Sequence, residues 1–365
     1  MRIKTLILNF AVLFCFQQAF AQTGGDNTYD FLNLPNAAHV AALGGNNVSL
    51  YANDLNMVYH NPSLLRPEMH GKLVLNYINY IADINFGYVS YSHHLEGIGT
   101  VGAGIHYLNY GNFIHADETG TILGDFTASE YSINLYYSRE IYDKLYAGAT
   151  LKTIYSALST YYSSGMAIDA GITWLDTANL FSAALVLKNI GVQFKPYQPG
   201  NREPMPYDLQ LGVSKGLEHA PFRVSLTFQN LFNWSLRYDS PLDNQNMLET
   251  DNNSSITDTT FGQKFNTFLN KSGNVGDELL RHIILGVEFV PSDNFYIAFG
   301  FNYRRRSELA LQTRAAIVGM SFGAGINLSK FNIHYGLASY HLAGMSHHIS
   351  LGLNLNEFYK KASVF

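Results

Sequence analysis

Charge is scarce in this chain: Asp, Glu, Lys and Arg make up 14% of its 365 residues, against roughly 25% in an average soluble domain. Hydrophobic residues reach 47% while mean hydropathy is −0.04, so uncharged polar residues fill the gap left by charge. Beyond the first twenty or so residues, no run approaches the roughly 18 apolar residues that a membrane-spanning helix requires, which argues against a helical membrane protein. The only cysteine is Cys15. The 14% aromatic content excludes a disordered chain, and a net charge of −5 with no extended basic patch gives no reason to expect nucleic acid as a partner.

The N-terminus accounts for the cysteine. Arg2 and Lys4 precede an apolar stretch from Thr5 to Phe16, and Ala19-Phe20-Ala21 offers a small-residue cleavage site before Gln22. This is the layout of a secretory signal peptide, assigned to residues 1–21. Phe14, just before Cys15, is too large for a lipid-attachment site, so the mature chain carries no cysteine and forms no disulfide in an oxidising compartment.

From residue 72 onward, apolar and polar residues alternate in segments of about ten, the period of a strand with one apolar and one wet face. In Ile349-Ser350-Leu351-Gly352-Leu353-Asn354-Leu355 every odd position is apolar. The pattern predicts about fourteen strands, near 72–81, 84–94, 99–109, 128–139, 144–155, 162–175, 180–190, 206–216, 221–231, 280–290, 294–304, 315–328, 331–340 and 346–356. Connections after even strands are short, such as Leu95-Glu96-Gly97 and Pro291-Ser292-Asp293. The long polar ones, Tyr110–Thr127, Gly191–Pro204, Phe232–Leu279 and Arg305–Arg314, all follow odd strands. Outer-membrane barrels sort short periplasmic turns from long external loops in this way, whereas a soluble sandwich has no reason to. The expected fold is therefore all-β: a transmembrane antiparallel barrel with a helical hatch segment over 22–71, the barrel over 72–365 and a large external loop over 232–279. Both termini are expected on the periplasmic side. Tyr77, Tyr80, Tyr88, Tyr91, Tyr107, Tyr110, Tyr303, Tyr335 and Tyr340 fall near strand ends, as in an aromatic girdle, although each alone fits ordinary barrel packing.

Residues 29–66 do not alternate. Asn36 is placed to cap a short helix ending at Gly44-Gly45, and Asn61 to cap a turn that begins with Pro62. Such a segment either folds inside the lumen as a hatch or extends into the periplasm. Asn33-Leu34-Pro35-Asn36-Ala37-Ala38, Ala41 to Leu50, and Asn61-Pro62-Ser63-Leu64-Leu65 resemble the N-terminal signature of the PorQ family, outer-membrane components of the type IX secretion system of Bacteroidetes. The Asn-Pro element also looks like the hatch of the wider FadL family of fourteen-stranded barrels. The resemblance implies a cell-surface attachment complex with a PorZ-like protein as direct partner and PorU and PorV alongside, which cleaves sorting signals and attaches cargo to anionic lipopolysaccharide. The alternative is a FadL-like transporter of a hydrophobic small molecule. Ser350, Gly352, Leu353 and Leu355 in the last strand are similar to the assembly signal of outer-membrane barrels.

Catalytic chemistry is not evident. Gly97-x-Gly99-x-x-Gly102 is followed by a strand where a dinucleotide fingerprint needs a helix. His93-His94 and His347-His348 each point to opposite faces of a strand, so neither pair makes a bidentate metal site. No GxSxG, HExxH or CxxC occurs, and no enzyme activity, cofactor or metal is expected. Asp169, Lys188, Arg223 and Glu288 fall on the inward register, where structural ion pairs are expected. Arg304, Arg305, Arg306 and Arg314 form the one basic cluster, suited either to lipopolysaccharide phosphates or to a solvated loop with Glu308 as counter-ion. Phe261, Phe265 and Phe268 have the spacing of a short amphipathic helix, either a partner contact or packing on the barrel rim.

Overall fold

The computed structural model describes residues 27–236, 275–309, 317–341 and 344–359. Fourteen antiparallel strands close on themselves. They are β1 (Lys72–Asn79), β2 (Asn85–Leu95), β3 (Gly99–Ala116), β4 (Ile122–Tyr142), β5 (Leu145–Leu158), β6 (Tyr161–Asp176) and β7 (Phe181–Lys195), followed by β8 (Asp208–Gly216), β9 (Phe222–Phe228), β10 (Ile283–Ser292), β11 (Phe295–Asn302), β12 (Met320–Asn327), β13 (Phe331–His341) and β14 (Gly344–Asn354). Each pairs with the next, and β1 pairs with β14 through Lys72↔Asn354 to Asn79↔His347, so no edge strand is left open.

Burial is inverted relative to a soluble protein. On β4 the apolar Ile133 and Leu135 are 51% and 53% exposed, while Ser132 and Asn134 beside them are buried. Lys152, Asp169 and Glu288 are wholly buried on the inner face. Such a wall suits hydrocarbon outside and polar packing inside, the architecture of an outer-membrane barrel.

Strand positions follow the alternation, with three differences in the connections, of which the first is that Gly191–Pro204 begins inside β7, whose pairing with β6 continues to Lys195. Tyr110–Thr127 is not a loop: β3 and β4 continue through a register shift at Asn109/Asn112, and the remaining turn is closed by the Asp117 carboxylate, which accepts from the Thr119 and Thr121 amides. The Arg305–Arg314 connection begins inside a helix, Tyr303–Leu309. The girdle also splits. Tyr77, Tyr91 and Tyr335 face outward, but Tyr88 and Tyr340 are buried, because alternation sends them inward regardless of their height on the strand, and Tyr303 is buried at the start of the helix that follows β11.

Residues 35–50 and 54–66 are buried without a break inside the ring. Of the two placements open to the hatch segment, it takes the lumen. It comprises a turn at Asp30–Asn33, one short helix α1 (Ala38–Ala42), and turns at Leu55–Tyr59, Pro62–Leu64 and Pro67–Met69. The wall is thinned to receive it. A Cβ at Gly336 would lie 2.5 Å from the Ala38 carbonyl oxygen, one at Gly323 2.6 Å from Ala42 Cβ, and one at Gly148 2.5 Å from the Pro62 carbonyl carbon. Gly300 would collide with Gly44 N in the same way. Pairing across the sheet places Gly148 beside Gly171, Gly286 beside Gly300 and Gly323 beside Gly336, so hatch backbone rests on wall backbone over much of the ring.

The described chain starts at one mouth and ends at the other. Thr28 N donates to Pro204 O in the β7–β8 connection, whereas Leu355 N donates to Gly71 O beside the short turns. Among the described residues, the hatch segment begins at the long-connection mouth and traverses the lumen before β1.

Candidate functional site

Among the described residues the lumen gathers the buried polar chemistry, and it is organised in three levels. At the long-connection mouth Tyr29, Phe31 and Leu32 pack with Ile78, Phe86, Leu108 and Met205. Tyr29 Oη bonds Ser163 Oγ on β6, and Tyr59 Oη donates to Leu32 O while meeting His106 Nδ1 at 3.0 Å.

At mid-height, Lys152 and Asp169 form a buried ion pair at 2.7 Å. A bulge in β7 at Asn189, with φ 55, turns both Lys188 and Asn189 inward. Asn189 then accepts from Lys152 Nζ at 2.7 Å and donates its amide to Asp169 Oδ1 at 2.7 Å. Asn61 joins hatch to wall nearby: its amide donates to Val48 O and Thr173 Oγ1, and its oxygen caps Ser63 N, with Pro62 opening the turn. His60 Nε2 donates to Asn36 Oδ1 at 3.0 Å. Burial, then the charges of Lys188, Lys152 and His106, hold His60 well below the ordinary histidine range, so it is neutral.

Toward the short-turn mouth, His39 on α1 lies between two carboxylates, with Nε2 at 2.7 Å from Glu288 Oε1 and Nδ1 at 3.1 Å from Asp54 Oδ2. Arg223 Nε pairs with the other Glu288 oxygen at 2.7 Å and its Nη1 donates to Tyr51 O. His334 on β13 brings Nδ1 to 3.7 Å from Asp54 Oδ2. Burial works to lower the His39 pKa, but the Glu288 charge and the bonds to Asp54 and Glu288 outweigh it and the net shift is upward. For Asp54, burial pushes up but His39 and His334 pull harder, and the shift is downward. A vestibule of about 1150 Å³ opens below these groups, lined by His39, Asp54, Lys72, Arg223 and His334 among others. At the opposite mouth the described residues line a cavity of about 220 Å³, with Lys188, Asp208, Gln210, Arg304, Arg305 and Glu308 around it.

Gly44 and Gly45 end α1 with φ 95 and 92, where a Cβ would strike Ile284 and the Arg305 guanidinium. Asn36 does not cap α1. The N-cap is Ala37, without a side-chain cap, and Asn36 instead donates to Asn56 O across the hatch. The basic cluster divides: Arg304 pairs with Glu308 at 2.7 Å, while Arg305 turns inward, donates to Gly44 O at 3.1 Å and lies 4.1 Å over the Tyr340 ring. Arg306 is on the same helix; Arg314, Phe261, Phe265 and Phe268 lie outside the described residues. Ser350 Oγ accepts from Ala38 N at the start of α1, and Gly352 and Leu353 pair with β1 and β13, with Leu355 just past the strand end. Gly97 and Gly99 form a turn into β3. His39, Asp54 and His334 escaped the sequence reading: His39 is a lone histidine in an Ala-rich helix, and 295 residues of chain separate it from His334. Only the inward parity of His334 on its strand was available as a signal.

No family model matches the chain, and no curated protein matches it. Among solved structures, the fold is similar to the Ralstonia pickettii toluene transporter TbuX, at 11% identity and TM-score 0.48, covering 88% of this chain and 98% of that one. It is also similar to the Pseudomonas putida toluene transporter TodX (11% identity, TM-score 0.47, 88% and 97% covered) and to the monoaromatic hydrocarbon channel CymD (12%, 0.44, 88% and 97%).

Proposed function

We propose that this protein is a non-enzymatic, permanently plugged outer-membrane barrel that serves as a scaffold of the type IX secretion system. In this reading it anchors a PorZ-like surface protein, with PorU and PorV in the same complex, where cargo is attached to anionic lipopolysaccharide. The observation that carries the reading is the seating of the hatch backbone on lumen-facing glycines, a fit that leaves no room for a sliding or swinging plug. The PorQ-like residues Asn33–Ala38, Ala41–Leu50 and Asn61–Leu65 are largely the same ones that fill the ring. The short turns and the C-terminal end face the periplasm, and the mouth closed by Phe31 and Leu32 faces outward.

The transporter reading requires an apolar passage and a lateral gap between strands. All neighbouring strand pairs are hydrogen-bonded, and the cavity at the long-connection mouth is lined by polar and charged groups such as Lys188, Asp208 and Arg304, whereas the vestibule at the short-turn mouth has a mixed lining that includes Leu175, Phe181, Phe222 and Leu328. Purification from native outer membranes in mild detergent separates the two. The scaffold predicts recovery of a PorZ-like surface protein in stoichiometric amount; recovery as a lone barrel that speeds toluene uptake into cells would overturn it.

A further inference from the structure

We propose that His39 and Asp54 of the hatch and His334 of β13 form a site for a divalent transition metal of the zinc class, which pins the hatch to the barrel wall. The three donor atoms all lie within 4.8 Å of one another, and all three residues are buried. Asp54 Oδ2 is 3.1 Å from His39 Nδ1 and 3.7 Å from His334 Nδ1. Ligands held about 2.0–2.2 Å from a tetrahedral ion stand roughly 3.3 Å apart, so the two distances to Asp54 need only a few tenths of an ångström of adjustment, and the two histidine nitrogens lie within 4.8 Å of each other.

The hydrogen bonds around the triad point the same way. His334 Nε2 is 3.0 Å from Asn327 Oδ1, an acceptor, so the ring proton sits on Nε2 and Nδ1 presents its lone pair. That buried Nδ1 has no hydrogen-bond partner and faces a carboxylate oxygen at a distance too long for a hydrogen bond. A lone pair aimed at an anion is unfavourable unless a cation lies between them. On His39, Nε2 is held by Glu288, which Arg223 orients in turn, and Nδ1 hydrogen-bonds Asp54 Oδ2 at 3.1 Å, a bond that an ion would replace as it displaces the Nδ1 proton. Carboxylates and amide oxygens that hold the far nitrogen of each imidazole are the usual support of metal-binding histidines. Two carboxylates, Asp54 and Glu288, supply negative charge for the ion. The vestibule provides the path by which it enters, and a water from that side completes the fourth position.

The test uses the full chain, purified in detergent, stripped with a chelator and titrated with Zn²⁺. One Zn²⁺ per chain is expected, with affinity falling at least tenfold in His334→Gln and in Asp54→Asn. The pair His93→Gln/His94→Gln, at the short-turn rim, leaves affinity unchanged. Wild-type protein loaded with Co²⁺, which needs no variant to fold, is expected to show the intense visible absorption of a tetrahedral ion. Wild-type affinity in a folded His334→Gln barrel, or a Co²⁺ spectrum no stronger than that of the aqueous ion, would overturn the site.

Discussion

The two mouths of the barrel are closed to different depths. At the long-connection mouth, Phe31 and Leu32 are 2% and 0% exposed within an apolar cluster, and a cavity of about 220 Å³ lies among the described residues. At the short-turn mouth a vestibule of about 1150 Å³ penetrates to His39, Asp54 and His334. The hatch is thus a lid on one side and a polar ceiling on the other. In the scaffold reading proposed above, the closed mouth is the one that faces outward.

The largest expected effect comes from the glycines beneath both mouths. In Gly148→Val or Gly300→Val the new side chain meets hatch backbone, which cannot rotate aside. Overpacking commonly costs about 1–3 kcal/mol, and here the upper end or more is expected. The outcome is a barrel that fails to assemble or expels its hatch, read as lost heat-modifiable mobility or as new ion conductance.

Phe31→Ala attacks the outer lid alone. A loss of about 3 kcal/mol is expected from the cavity, with the thermal transition lowered and the wall intact. Asn61→Ala removes the cap of the Pro62 turn and takes the donor from Val48 O, while Thr173 Oγ1 keeps its bond to Ser63 Oγ. About 1–3 kcal/mol is expected, measured by chemical denaturation in detergent.

His60 sharpens the comparison through pH. Its folded pKa lies well below the ordinary histidine value of about 6.5, so the unfolded chain binds the proton first. Its contribution is complete above pH 6.5 and is lost as pH falls below it, by about 1 kcal/mol one unit lower. His60→Gln is expected to flatten that part of the stability profile. Arg304→Ala, which breaks a half-exposed pair with Glu308, is expected to cost about 0.5 kcal/mol or less in a melting experiment.

The wall was legible in the sequence because lipid imposes a period of two on every strand: Ile133, Leu135, Ile349 and Leu351 announce their face by position alone. The Gly44-Gly45 stop and the Asn61-Pro62 turn were legible because caps and proline act locally. What was hidden depends on encounters between distant segments. Asn36 has the chemistry of a cap, but His60 and Asn56 claim its amide. Arg305 reads as part of a basic loop, yet Gly44 O and Tyr340 draw it inward. The inward glycines resemble any small residues until the hatch backbone is seen against them, and nothing in the spacing of His39, Asp54 and His334 indicates that they meet.

Single-channel recording of the purified wild-type barrel in a planar bilayer tests the central claim most directly. A permanently plugged scaffold is expected to insert without conductance steps at low voltage, while Gly300→Val, if it inserts, opens a stable pore. Steady ion conductance through the wild-type protein, or a conductance that appears on adding toluene, would contradict the account.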